Sequence, residues 1–291
     1  MPKVTKPRPP QQSRSGRSPA PRVRKEVRGK PILPEESADT QKLHKVLAQT
    51  GLGSRRSMET WITEGKVTVN GAPAKLGMRV GAQDQIKIDG RLIRVHAVSR
   101  PPRVLLYHKP EGEIVSRDDP KGRPSVFASL PAVSGGKWIS IGRLDFNTCG
   151  LLIFTTSGAM ANRMMHPRFE VEREYAVRVM GKLLPQHMSQ LTEGVELDDG
   201  VAYCESAELR GGEGANQWCH VVLKDGRNRV VRRLFEKLGF MVSRLMRVRY
   251  GPMELPPRLN RGKYRELSAE EVAKLQSWLG ASPPPQPRVP R

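Results

Sequence analysis

The sequence predicts an α+β protein in two folded modules, and three observations point there. Strand-like and helix-like segments follow one another without the regular alternation that marks a doubly wound parallel sheet. Hydrophobic residues fill 37% of the 291 positions, enough for folded cores beside some disorder. Arg100-Pro101-Pro102-Arg103 then separates a small helix-rich part from a larger strand-rich part, because two prolines remove backbone donors and forbid helix continuation. The expected layout is a disordered basic arm at 1–40, a first module with its linker at 41–100, a larger domain at 101–280 and a loose Pro-rich tail at 281–291.

The arm is rich in Pro, Arg, Lys and Ser and nearly free of large apolar side chains, so it cannot bury enough surface to offset the entropy of ordering. No apolar stretch follows Met1, which argues against secretion and for a cytoplasmic protein. The first module opens near Thr40 with Leu43, Val46 and Leu47 at helical spacing, stopped by Gly51 and Gly53. A second helix follows, with Ser54 as N-cap, Met58, Trp61 and Ile62 as its apolar stripe and Gly65 as its stop. Short strands end at Asn70-Gly71 and Asp89-Gly90, both hairpin signals. Lys42, Lys45, Arg55 and Arg56 fall on or between the helices and away from the apolar stripe, giving a basic face.

In the larger domain, 104–107, 138–141, 151–154, 174–179, 217–223 and 242–250 read as strands. Helices are expected at 157–165, stopped before Pro167, and at 228–238, stopped before Gly239. A last helix starts at Ser268, where Ser268 and Glu271 make a capping box and Val272, Leu275 and Leu279 a buried stripe.

A net charge of +21 and a pI near 10.4 favour a polyanionic partner, with nucleic acid foremost. No run of about 18 apolar residues exists, so no membrane partner is expected. Cys149, Cys204 and Cys219 are few, odd in number and far apart, and the six histidines are scattered; free thiols and no metal site follow. Hydrolase and phosphotransfer motifs are absent from the sequence. What remains is the polar loop Gly142-Arg143-Leu144-Asp145-Phe146-Asn147-Thr148 between two apolar strands. Spacing alone leaves Arg143 and Asp145 open to a structural ion pair as well as to chemistry.

Residues 41–88, with LHKVLAQTGLGSRRSMETWITEGKVTVNG, resemble the S-four type of RNA-binding domain, a reader of RNA shape and phosphates. GRLDFNTCGLLIFTTSG resembles the signature of the ribosomal pseudouridine synthases of the small-subunit uridine synthase class. Similar enzymes also show, in the same order, HKPEG at 108–112, MMHP at 164–167, VEREYAVRV at 171–179 and GRNRVVRRLFEKLG at 226–239. The likeness covers about 41–280, and GGEGANQW at 211–218 is most similar to the branch acting on large-subunit (23S) ribosomal RNA. One departure falls at Arg229-Val230, where many relatives carry a glutamine before the next apolar residue.

The resemblance implies a mixed, largely antiparallel sheet with flanking helices, and an isomerase that needs neither metal nor organic cofactor. Asp145 matches the family aspartate, acting as nucleophile at C1' or as base on a ribose proton. Arg232 matches the basic partner expected to pair with Asp145. Tyr175 matches the tyrosine that stacks on the extruded base and assists proton transfer. Arg143 fills the vacated stack or binds phosphate, Leu255 walls the pocket, and Arg229, Arg233 and Arg247 meet RNA phosphates. The implied partner is large-subunit ribosomal RNA or its assembly intermediates, met by a monomer with no obligate protein partner. The alternatives are a synthase acting on 16S ribosomal RNA or transfer RNA, and a non-catalytic RNA-binding assembly factor.

Overall fold

A computed structural model describes residues 40–93, 101–133, 136–212 and 215–281. The expected arm at 1–39, the start of the linker at 94–100, Glu213-Gly214 and the tail beyond 281 lie outside these residues.

The first module is built as β1 (Thr40–Lys42), α1 (Leu43–Gln49), α2 (Arg55–Thr63), β2 (Val67–Val69), β3 (Ala72–Pro73), β4 (Arg79–Gly81), β5 (Ile86–Ile88) and β6 (Arg91–Ile93). Its core is local: Leu43, Val46 and Leu47 of α1 meet Met58 and Ile62 of α2 over Val67, Ile86 and Ile88. The Ser54 hydroxyl accepts from the Ser57 amide at 3.0 Å and so caps α2 as expected. Asn70 and Gly71 both take positive φ, as do Asp89 and Gly90, which gives the tight turns that closely paired strands require. One element departs from the sequence reading: Lys42 ends β1, which pairs with β4, and stands before α1 rather than on a helix.

The larger domain carries β7 (Val104–Lys109), β8 (Ile139–Ile141), β9 (Cys149–Thr155), α3 (Gly158–Met165), β10 (Arg173–Met180), α4 (Pro185–Glu193), β11 (Val195–Leu197), β12 (Gly200–Ala202), β13 (Ser206–Leu209), β14 (Asn216–Leu223), α5 (Val230–Lys237), β15 (Met241–Tyr250), β16 (Met253–Glu254), β17 (Tyr264–Glu266) and α6 (Ala269–Ala281). The main sheet runs β13-β14-β10-β15-β9-β7-β17, with β16 on β15 and β8 on β9. Its pairs are antiparallel except β15 with β9.

Three cores follow from this order. Under β10, β14 and β15, the helices α4 and α5 bury Leu191, Leu234 and Phe235. Strands β7 and β9 are covered on both faces, by α3 and α6 on one and by Val126, Trp138 and Leu144 on the other. Double coverage explains why all seven residues of β9 are buried and why CGLLIFT shows no alternation. Each large side chain there contributes about 1.5–3 kcal/mol of burial. Where β9 crosses β15, a Cβ on Gly150 would stand 2.3 Å from the Arg247 carbonyl oxygen, so the approach requires glycine.

Ser157 caps α3 through the Met160 amide at 3.2 Å, and the Ser268–Glu271 capping box forms in both directions. The helix expected from Asn228 begins two residues later, because Arg229 takes a left-handed backbone at φ 50°. Helix α4 and the β11–β12 hairpin were not anticipated. The three cysteines are free and buried, and burial pushes the Cys204 and Cys219 thiols up to about 12. Among the described residues, no helix is long and apolar enough to cross a membrane.

Candidate active site

The loop from Gly142 to Thr148 joins β8 to β9 and opens on a cleft of about 1190 Å³. Arg143, Asp145, Tyr175, Arg229 and Arg247 line it. Three consecutive carbonyls hold the loop. The Phe146 oxygen accepts from the Gly112 amide at 2.9 Å, the Asn147 oxygen from Arg232 Nη2 at 2.8 Å and the Thr148 oxygen from Lys109 Nζ at 2.9 Å. Lys109 is fully buried and Arg232 is 8% exposed, so both donors are fixed by their surroundings. Burial pushes the Lys109 ammonium pKa down, partly offset by Glu113, Cys149 and Asp145. The Asp145 carboxylate is therefore carried on a backbone pinned directly after it, while its side chain stays open to the cleft.

The expected pairing of Arg232 with Asp145 is not what forms. Arg232 turns under its helix and donates to the Val242 carbonyl at 3.0 Å as well as to Asn147, tying β15 to the loop. Its pKa is lowered first by burial and then by Arg229, with Asp145 acting in the opposite sense. The guanidinium in ion-pair range of Asp145 belongs to Arg229, whose Nη1 lies 4.0 Å from Asp145 Oδ2. The left-handed backbone at Arg229, at the mouth of α5, directs that side chain outward; such geometry in a residue with a Cβ is uncommon and is held by its surroundings.

Two other expected contacts lie elsewhere. Arg233 is one residue further round the helix and grips Asp199 of the β11–β12 turn with two bonds at 2.8 and 3.0 Å. Arg227 bonds the same turn, and the Arg233 bonds hold the Asp199 carboxyl below its usual range. Leu255 packs into the core beside α3 and α6, and it is not among the residues that line the cleft. Arg143 is exposed at the cleft edge, and Tyr175 stands half-buried on β10 between the core under α4 and α5 and the one around Trp138 and Leu144. Arg55 and Arg56 are exposed on α2, with Lys45 half-buried on α1.

Arg247, expected to meet RNA phosphate, is instead buried at the cleft floor and bonded to backbone, and the Arg173 beside it is the group that sequence reasoning missed. Arg247 is 2% exposed, donates through Nε to the Leu151 carbonyl at 2.9 Å and lies 4.8 Å from the Tyr250 ring centre. Arg173 covers the same ring at 5.0 Å, donates to the Tyr250 hydroxyl at 3.2 Å and reaches the Lys224 carbonyl at 2.6 Å. Arginines inside strand patterns were the available signal for this brace.

A small module with a basic face, followed by a mixed sheet whose cleft presents one carboxylate on a pinned loop among arginines, is the build shared by pseudouridine synthases. The chain matches the RNA pseudouridylate synthase family over residues 103–237 and the S4 domain over 41–86. It is 52% identical over 245 residues to the ribosomal large subunit pseudouridine synthase B of Pseudomonas aeruginosa, covering 84% of this chain and 64% of that protein. The protein of the same name from Escherichia coli is 51% identical over 253 residues, 86% of this chain and 87% of the other. A relative from Xanthomonas campestris is longer still, and the chain spans 51% of its length. A crystal structure of a pseudouridylate synthase superposes with a TM-score of 0.56 at 26% identity, covering 80% of this chain and 99% of that one. The chain belongs to the RNA pseudouridylate synthase family.

Proposed function

We propose that this protein isomerises a uridine of large-subunit ribosomal RNA to pseudouridine, with Asp145 as the catalytic carboxylate. The observation that carries the reading is Asp145 itself, held by a backbone pinned at three successive carbonyls and exposed to a cleft large enough for an extruded nucleotide. The relatives named for large-subunit ribosomal RNA supply the substrate class.

The reaction is an internal transfer and balances without a co-reactant. The bond between ribose C1' and uracil N1 breaks, the ring turns, and C5 bonds C1'. The proton on C5 is lost and N1 gains one. Asp145 serves either as nucleophile at C1' or as base toward a ribose proton. Arg229 is the counter-cation of that carboxylate, while Arg232 is a positioning residue that acts through the Asn147 carbonyl. Tyr175 offers a flat face to the extruded base, and Arg143 meets a phosphate or fills the gap left in the stack. The enzyme works as a monomer in the cytoplasm, on free ribosomal RNA or on assembly intermediates.

Asp145→Asn keeps the shape and removes the charge. It is expected to abolish pseudouridine formation while RNA binding survives. Modification retained in that variant, or wild-type protein that modifies no uridine of naked or partly assembled ribosomal RNA, overturns the reading.

A further inference from the structure

The RNA-reading module meets the larger domain along a narrow seam where backbone lies against backbone. A Cβ on Gly51 would stand 3.3 Å from the Gly136 carbonyl oxygen. Next to it, Lys137 Nζ donates to the Gly53 carbonyl. Arg55 Nη2 is 3.5 Å from the point where Gly158, the first residue of α3, would carry a Cβ. From the other side, Arg117 Nη2 donates to the Trp138 carbonyl at 2.9 Å, and its guanidinium rests 4.0 Å from the Phe127 ring centre.

Three cations therefore converge on one seam. The hydrogen bonds of Lys137 and Arg117 go to backbone carbonyls, and among the described residues none of the three cations forms an ion pair. Asp118, adjacent in the chain to Arg117, is the acid whose field Arg117 feels. Burial, then Arg117, then Arg55 push the Lys137 ammonium pKa down. Arg55 also approaches the amino end of α3, where the helix dipole is already positive. Folding brings like charges together here, and an anion between them would relieve the repulsion.

We propose that a backbone phosphate of the RNA substrate occupies this seam, clamped by Arg55 from the first module and by Lys137 and Arg117 from the second. The inference rests on the RNA-modifying function argued above and locates a contact for it. A phosphodiester suits the site because two guanidinium forks and an ammonium match several oxygens of one group. The position is right as well. Lys137 leads into β8, and Ser140 of that strand lines the cleft, so a strand of RNA held at the seam continues toward Asp145. The bound phosphate joins the two modules and fixes the first against the second while the nucleotide is engaged.

The test compares two double variants of the full chain by titration with large-subunit ribosomal RNA at several salt concentrations. Arg117→Gln with Lys137→Gln is expected to weaken binding about tenfold. The slope of log affinity against log salt should fall by about 0.7–0.9, the loss of one phosphate contact. Lys182→Gln with Lys274→Gln removes the same formal charge from exposed positions and should leave the slope nearly unchanged. An unchanged slope in the first variant, or equal losses in both, overturns the proposal. Thermal melts establish that each variant is folded. Independently, wild-type protein is titrated with a synthetic RNA fragment carrying single neutral methylphosphonate linkages. One linkage should cost wild-type protein about tenfold in affinity and the Arg117→Gln/Lys137→Gln variant almost nothing. Finding no such linkage also overturns the site. These are binding readouts, so a protein that binds as described yet forms no pseudouridine would retain the seam site and lose the isomerase reading.

Discussion

Gly150→Ala tests how the cleft is assembled. The added Cβ would lie 2.3 Å from the Arg247 carbonyl oxygen, 2.6 Å from its amide nitrogen and 2.9 Å from Met246 Cγ. Ordinary contact is about 3.4–4 Å, so one strand must retreat by about 1 Å, and the nearest obstacles are backbone atoms that have no rotamer to change. Overpacking of this kind costs about 1–3 kcal/mol, and the φ of +107° adds about 1–2 kcal/mol for any residue with a Cβ. The sum, about 2–5 kcal/mol, corresponds to a fall of roughly 4–20 °C in Tm for a domain of this size. Gly71→Ala separates the two contributions: its φ is +85° and nothing lies within 4 Å of the new methyl, so only the backbone cost applies. Thermal melts and urea titrations of both variants measure the difference. If Gly150→Ala unfolds within about 1 kcal/mol of Gly71→Ala, the close crossing of β9 and β15 is wrong.

Arg232→Lys removes a fork that spans two backbone carbonyls, and an ammonium cannot reach both; kcat is expected to fall at least about tenfold, with RNA affinity changed far less, and equal losses in kcat and affinity would contradict a positioning role. Acid should destabilise the fold through Glu174 and Glu266. Burial pushes the Glu174 carboxyl up, but its bonds from Arg249 and His220 outweigh this and hold its pKa below 4.5, as Arg103 does for Glu266. A depressed folded pKa adds stability that is fully present above 4.5 and lost as pH falls through the lower folded value, so urea midpoints should be flat on the neutral side and drop below about 4.5. Glu174→Gln should flatten that drop, and a variant as acid-sensitive as wild type would remove this carboxylate from the account. Tyr175→Phe keeps the ring and removes the hydroxyl, so pseudouridine formation that survives undiminished would confine Tyr175 to stacking.

Much of this architecture was legible before any coordinates. Glycine and proline punctuation, capping residues and apolar spacing placed α2, α3, α6 and the strands around the GRLDFNTCGLL loop, because those signals are local. Which arginine of GRNRVVRR faces Asp145 was not legible. The answer turns on a left-handed Arg229 and on helical phase: Arg232 rotates beneath the loop and Arg233, about 100° further round, reaches Asp199. Lys109 escaped notice for a related reason, since a lysine ending an apolar strand reads as a surface residue until two carbonyls are found around its ammonium. Helix α4 was missed because Pro185–Glu193 has only Met188 and Leu191 as buried residues, too few to make a stripe.

The parallel junction between β9 and β15 also bears on the order in which the molecule matures. The bond from Arg247 to Leu151 closes a span of 96 residues, whereas the first module completes its core within residues 43–88. Distant closures carry the larger loop entropy and form late. On the proposed function, a chain still leaving the ribosome would gain its grip on RNA well before its catalytic centre, and shortening it ahead of β15 should yield a protein that binds RNA without modifying it.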